Sequence, residues 1–164
     1  MAYICVFGIL SLLLRFFPHI PNFSPFLGLA VASGFISRNK YNFFLVTGLL
    51  VISDLLLGIS RVNIFIWVIV GLISLLSSRI KASFLSLGLY SLGSSLFYFL
   101  STNFWVWLEG WYPQNAWGLY TCYLRAIPFF RTQIVSTLVF AYFFYTGYLL
   151  VSHRARLLRF KSSF

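Results

Sequence analysis

The sequence predicts an all-α fold: a single-domain, polytopic membrane helical bundle with about six transmembrane helices. Three observations support this prediction. The 164 residues are 60% hydrophobic, and only 9% of them are charged. The mean hydropathy is +0.91. Apolar segments follow one another along the chain, and basic residues stand at their ends. A soluble domain has about 25% charged residues, so this chain is expected to lie in a lipid bilayer.

Six apolar segments carry the prediction. In order, they are residues 2–14, 23–37, 42–59, 63–77, 83–101 and 132–152. Several are shorter than the ~20 residues that a straight helix needs to cross a bilayer core of about 30 Å. They must therefore extend into flanking aromatic residues, or the bilayer must thin around them. Segment 23–37 either spans or is re-entrant, which leaves five spans as the alternative to six.

Charge distribution predicts the orientation. Twelve Lys and Arg accompany only two acids, for a formal net charge of +10. Two loops and the C-terminal end hold eight of the basic residues: Arg38, Lys40, Arg79, Lys81, Arg154, Arg156, Arg159 and Lys161. With six spans these eight share one face, which the positive-inside rule makes cytoplasmic. We therefore expect a multi-pass membrane protein with both termini inside and a basic cytoplasmic tail at 153–164. Because no basic patch lies on a polar domain, nucleic acid is not an expected partner.

The first polar break, residues 15–25, reads RFFPHIPNFSP. His19 lies between two prolines, so its ring is held on a stiff loop. Either Asn22 or Ser24 is expected to cap the next helix, with Pro25 in its first turn. The loop is therefore interpreted either as a shaped helix cap or as a plug that closes over a ligand.

Asp54 lies inside the third apolar segment, where an unpaired carboxylate is unfavourable. We expect it near the outer end of its helix, paired with an arginine. Arg61 is close in sequence, and Arg15 can be close in space. The pair is interpreted either as structural or as part of a ligand site.

Residues 102–131 are predicted to form one long outer loop. This segment contains the aromatic and polar residues Asn103, Trp105, Trp107, Glu109, Trp111, Tyr112, Gln114, Asn115, Trp117, Tyr120, Tyr123 and Arg125. Aromatic surfaces with a few polar groups are typical of small-molecule pockets. Aromatic residues also form belts at membrane interfaces. A pocket, a lid and a protein interface all stay open.

Segment 23–37 carries the small residues Gly28, Ala30, Ala32 and Gly34 at a spacing that lets helices approach closely. Such a motif serves either internal packing or docking on a partner membrane subunit.

Sequence motifs for catalysis are absent: no phosphate loop of the GxxxxGK[ST] form and no helical two-histidine metal motif occur. Cys5 and Cys122 are expected to be buried thiols. We predict no enzyme, no metal and no cofactor.

Several motifs together resemble a family of small, uncharacterised bacterial membrane proteins. The matching residues are Arg15, Pro18-His19, Pro21 to Pro25, Ser53-Asp54 with Gly58, Thr102 to Phe104, Val106-Trp107, Tyr112-Pro113, Gly118-Leu119, Cys122-Tyr123 and Ala126 to Phe130. The resemblance covers roughly Arg15 to Gly147. That family is in turn similar to the substrate-binding S components of energy-coupling factor transporters.

The S-component resemblance implies that different subunits bind the ligand and supply the energy. This chain would bind a vitamin or another micronutrient outside the cell, while a membrane coupling subunit and two ATPases would supply energy. S components grip their ligand near the outer face, partly through the loops after helices one and five, which correspond here to Arg15–Asn22 and Thr102–Arg131. Their small-residue docking motif lies on helix one, whereas the stripe here lies on the second segment, which departs from that pattern.

The predicted function is therefore a membrane-embedded substrate-binding subunit for uptake of a small micronutrient. The predicted ligand-binding residues are Arg15, His19, Asn22, Asp54, Asn103, Trp107, Glu109, Trp111 and Arg125, and the predicted docking residues are Gly28, Ala30, Ala32 and Gly34. A site with both charge signs suits a zwitterionic or hydrogen-bond-rich ligand. The alternative is a structural or assembly subunit of a larger membrane protein complex, in which residues 102–131 would pack on a partner.

Overall fold

A computed structural model describes the backbone of residues 2–16 and 22–161, with side chains through residue 153. Within these ranges the fold is all-α, as predicted. Six helices follow in order: α1 (Ala2–Arg15), α2 (Pro25–Ile36), α3 (Asn42–Leu57), α4 (Arg61–Ser77), α5 (Phe84–Leu108) and α6 (Ala116–Lys161).

Helix α2 is the centre of the bundle. Its sequence, PFLGLAVASGFI, carries no charged residue, and all its residues are buried. It contacts each of the other five helices. A helix that is apolar on every face is stable only when neighbours surround it. The predicted N-terminus is confirmed: the Ser24 side chain accepts a hydrogen bond from the Phe26 amide at 3.5 Å, and Pro25 occupies the first turn.

The small residues of α2 let neighbouring backbones approach. A Cβ atom added to Gly28 would lie 2.6 Å from Phe140 Cβ in α6, and one added to Gly34 would lie 2.2 Å from the backbone carbon of Ser77 in α4. Ala30 and Ala32 are completely buried. All four positions thus serve packing inside the chain, one of the two interpretations of this motif. Docking of a partner subunit on these residues stays a prediction. It would require them to be accessible, whereas packing inside the chain covers them.

Two helices are long and apolar enough to cross a membrane, by length and composition. They are α5, Phe84–Leu108, and the stretch Ala116–His153 of α6; the four other helices are shorter. Only 28% of the most apolar window in each is buried inside the chain. A core helix of a soluble protein would be mostly buried, so this exposure favours a membrane association.

Residues 102–131 do not form the predicted long loop. Helix α5 continues to Leu108 and α6 begins at Ala116, so only residues 109–115 connect them. Aromatic residues have intermediate helix propensity, so their density does not exclude a helix. The break coincides with Gly110, whose φ is +81°, and Pro113. Pro128 lies inside α6, where it removes one backbone hydrogen bond without ending the helix.

The connections between helices lie at alternate ends of the bundle. At one end, the α2–α3 and α4–α5 connections meet, because Arg38 Nη2 donates a hydrogen bond to the Ile80 carbonyl at 3.1 Å. At the other end, Arg15 at the end of α1 reaches Asp54 near the end of α3. The basic residues Arg38, Lys40, Arg79 and Lys81 therefore lie at the end opposite to the Arg15–Asp54 pair.

Candidate functional site

Arg15 and Asp54 form an ion pair across two helices. Arg15 Nη1 lies 2.5 Å from Asp54 Oδ1, and the side chains are 22% and 2% exposed. Arg15 Nη1 also donates a hydrogen bond to Ser53 Oγ at 3.1 Å. Arg15 is the last residue of α1, which brings its side chain to the end of α3. Of the two arginines predicted as partners of Asp54, the structure selects Arg15.

The other carboxylate oxygen is held by an indole. Trp67 Nε1 in α4 donates a hydrogen bond to Asp54 Oδ2 at 2.6 Å. Among the described residues, Asp54 Oδ1 has one close partner, the Arg15 guanidinium, and no other donor. Trp67 is not among the residues predicted from sequence. Its position could have indicated it, because the other four tryptophans lie between residues 105 and 117.

A cavity of about 210 Å³ lies beside this ion pair. Arg15 and Asp54 line it together with polar side chains from other helices, Asn63, Tyr98 and Gln133. Apolar residues, among them Phe26, Ile66 and Val70, complete the wall. At about 30 Å³ for each water molecule in the liquid, the volume corresponds to roughly seven waters. The cavity therefore has room for a small polar ligand.

A second cavity of about 180 Å³ adjoins the first. Both are lined by Asn22, Ile66, Tyr98 and Gln133, and Asn103 lines the second. Four predicted ligand-binding residues, Arg15, Asn22, Asp54 and Asn103, thus surround two adjoining cavities. Sequence analysis did not select Tyr98 or Gln133. Gln133 is a single amide in the apolar part of α6, whereas nothing distinguishes Tyr98 from the other tyrosines.

Asn22 has a backbone conformation that restricts its replacement. Its φ is +62°, the left-handed region, where asparagine is tolerated and most residues with a Cβ are strained. This conformation places the residue just before the Ser24 cap, with its side chain at both cavities.

Replacing Asn22 should separate the backbone effect from the side-chain effect. We expect Asn22→Ala to be about 1 kcal/mol less stable than Asn22→Gly, because alanine is strained in the left-handed backbone region whereas glycine is not. Reversible unfolding in detergent, followed by circular dichroism, measures the difference. Equal stability of the two variants would contradict the described backbone conformation.

Glu109 and Trp111 lie at a different cavity. Glu109 accepts hydrogen bonds from Trp105 Nε1 at 3.0 Å and from Trp111 Nε1 at 3.3 Å. Together with Arg61, Glu109 and Trp111 line a space of about 460 Å³. None of its lining residues belongs to the other two cavities. The predicted ligand-binding residues are therefore divided between two places.

Two other predicted residues, Trp107 and Arg125, are not among the lining residues of these cavities. Trp107 Nε1 donates a hydrogen bond to the Pro113 carbonyl at 3.0 Å, which fastens the α5–α6 connection. Arg125 is exposed on α6. His19 lies outside the described residues, so its predicted role stays a prediction.

The cysteines differ in burial. Cys122 is buried, and its thiol donates a hydrogen bond to the Asn103 carbonyl at 3.4 Å. Cys5 is only half-buried, unlike the prediction, because α1 packs on one side of the bundle and leaves other faces exposed. In the described part of the chain, no group of three or more His, Cys, Asp or Glu residues could hold a metal ion.

Comparison with known proteins identifies a family. A model of a family of unknown function, DUF6580, matches residues 1–159. No curated protein and no solved structure matches the chain. These comparisons give no support to the similarity with S components of energy-coupling factor transporters.

Proposed function

The chain belongs to the DUF6580 family, whose function is unknown, and from this premise we propose that it is a membrane-embedded substrate-binding subunit for uptake of a small micronutrient. It would work with separate energising subunits, because its sequence has no phosphate loop for nucleotide hydrolysis. By analogy with S components, these would be a membrane coupling subunit and two ATPases.

The observation that carries this proposal is an ion pair at the wall of a polar cavity. A purely structural pair is best surrounded by packed side chains, since protein interiors contain few voids larger than a water molecule. Here a cavity of about 210 Å³ adjoins both Arg15 and Asp54. Ligand sites have this composition: an apolar wall with a few polar groups that orient the ligand.

The exposed surface supports a membrane location, for which we propose six spans. Large apolar side chains such as Val68, Leu85 and Leu89 are more than half exposed, and lipid would cover them. The basic residues Arg38 and Lys40 would face the cytoplasm under the positive-inside rule. The cavity beside Arg15 would then lie toward the outer face of a bacterial inner membrane, with the C-terminus inside. The shorter helices would be accommodated by local bilayer thinning.

Ligand binding to purified protein tests the proposal. A panel of vitamins and other micronutrients, titrated by calorimetry, should contain a compound that binds saturably. Tyr98→Phe removes one hydroxyl from both cavity walls. We expect it to weaken binding roughly 3- to 10-fold, the effect of one lost hydrogen bond.

Tyr41→Phe is the matched control, because Tyr41 is exposed before the start of α3, at the opposite end of the bundle. Its affinity should equal that of the unmodified protein. A panel without any binding compound, together with purified protein that carries no small molecule by native mass spectrometry, would contradict the proposal.

One observation favours the alternative of an assembly subunit. Trp111, in the α5–α6 connection, and Trp117, at the start of α6, are 73% and 70% exposed. Tryptophan is enriched at the centres of protein interfaces. Gentle extraction followed by mass spectrometry separates the two functions: associated ATPases support uptake, whereas stoichiometric subunits of a respiratory or photosynthetic complex support assembly.

A further inference from the structure

The first cavity presents one charge of each sign. Among the described residues that line it, Arg15 and Asp54 are the charged ones, and their charges cancel. A ligand with a single charge would leave one net charge uncompensated in a site whose other lining residues are neutral, which is unfavourable. The charge balance of the wall therefore favours a ligand whose own net charge is zero.

Arg15 keeps hydrogen-bonding capacity for a ligand. Its contacts with Ser53 and Asp54 use Nη1 only. In the described part of the chain, no acceptor is hydrogen-bonded to Nη2 or Nε of this guanidinium. A guanidinium offers its donors as a planar fork that matches the two oxygens of a carboxylate. A ligand carboxylate can therefore be bound without first displacing Ser53.

Asp54 can exchange its partner at one oxygen. Oδ2 accepts the Trp67 indole proton, while the described partner of buried Oδ1 is Arg15 alone. A ligand ammonium would supply donors to Oδ1 together with the positive charge that this oxygen now takes from Arg15. The fixed Trp67 contact would hold the carboxylate in place during this exchange.

We propose that the ligand class is a small zwitterion with adjacent carboxylate and ammonium groups, such as an α-amino acid. Its carboxylate would bind Arg15 and its ammonium Asp54, so that two new ion pairs replace the internal one. Because Arg15 and Asp54 start in direct contact, a ligand with its two charged groups on neighbouring carbon atoms joins them with the smallest displacement of the two side chains. Asn22, Tyr98 and Gln133 would then contact the rest of the ligand. This inference rests on the proposed function and names its substrate class.

Trp67 supplies a local reporter for the experiment. Protein labelled with 5-fluorotryptophan gives one ¹⁹F NMR signal for each tryptophan, and Trp67→Phe assigns the signal of Trp67. Probes are the common L-amino acids and, for each that binds, its amide, which lacks the carboxylate, and its des-amino acid, which lacks the ammonium. We expect a saturable shift of the Trp67 signal with an amino acid, and at least about 30-fold weaker binding of both analogues.

One substitution reverses this preference. In Asp54→Asn the buried negative charge is gone, so the des-amino acid should bind better than the amino acid. The control Arg79→Gln, which removes an exposed arginine at the opposite end of the bundle, should leave the order of affinities unchanged. The charge series on the unmodified protein provides the same test if Asp54→Asn fails to fold.

Three results would overturn the zwitterion assignment. If a neutral or singly charged compound from the micronutrient panel shifts the Trp67 signal and no zwitterion does, the substrate class is wrong while the binding function stands. If ligands shift the Trp111 signal and leave Trp67 unchanged, the site is wrong. If neither panel shifts any signal, the proposed function and the inference fail together.

Discussion

Replacement of Arg15 by methionine should lower the free energy of unfolding by about 3–5 kcal/mol, because it leaves a buried carboxylate without its cation. The Asp54 side chain is only 2% exposed. After the substitution, the described partner of its carboxylate is the Trp67 indole, which is neutral. Methionine keeps much of the length of the arginine stem, so the change is chiefly electrostatic.

Reversible unfolding in detergent or lipid nanodiscs measures this effect. The double variant Arg15→Met/Asp54→Asn should be more stable than Arg15→Met alone, since neither charge is then left unpaired. Arg125→Met is the matched control, because Arg125 is exposed, and its stability should change by less than about 0.5 kcal/mol. A loss below about 1 kcal/mol for Arg15→Met would show that Asp54 has another compensating group.

Gly34→Ala is the second substitution with a large expected effect. The new Cβ would lie 2.2 Å from Ser77 C and from Ser78 N, both backbone atoms of the α4 C-terminus. Backbone cannot rotate away as a flexible side chain can, so α2 and α4 must separate. Overpacking of this kind destabilises by about 1–3 kcal/mol, and occasionally more. The Gly34 amide also donates to Ser77 Oγ at 3.1 Å, and that hydrogen bond would be strained.

Gly48→Ala provides the control for this substitution. Gly48 is also helical, but nothing lies within 4 Å of a Cβ added there. Alanine should therefore stabilise α3 by up to about 1 kcal/mol through helix propensity. Thermal unfolding of the two variants side by side should move the midpoints in opposite directions. Equal shifts would mean that α2 and α4 are not packed as described.

The helices and the first residue of the candidate site could be predicted from sequence because residues close to them in the chain indicate them. Ser24 and Pro25 mark the beginning of α2 by cap and turn preferences. Asp54 could be predicted as a candidate site residue because a carboxylate in an apolar segment needs a partner. Sequence spacing alone could not choose between Arg15 and Arg61, because the choice depends on where α1 ends beside α3.

The other site residues and the length of the α5–α6 connection depend on tertiary packing, which no local sequence pattern contains. Trp67 and Gln133 reach the site from helices whose rotation is set by tertiary contacts. The α5–α6 connection was predicted too long because residues 102–131, rich in aromatic and polar side chains, separate two apolar segments, whereas most of them lie inside α5 and α6. Glu109 and Trp111 share an aromatic segment with Asn103, yet the end of α5 directs them to another cavity.

The position of α2 has a consequence for biosynthesis. It precedes α3, α4, α5 and α6 in the chain, and all four of these helices help to enclose it. With all its residues destined for burial, this helix has its complete surroundings only after α6 has been synthesised. The synthesis of α6, and not that of any earlier helix, thus sets the earliest time at which the native bundle can close.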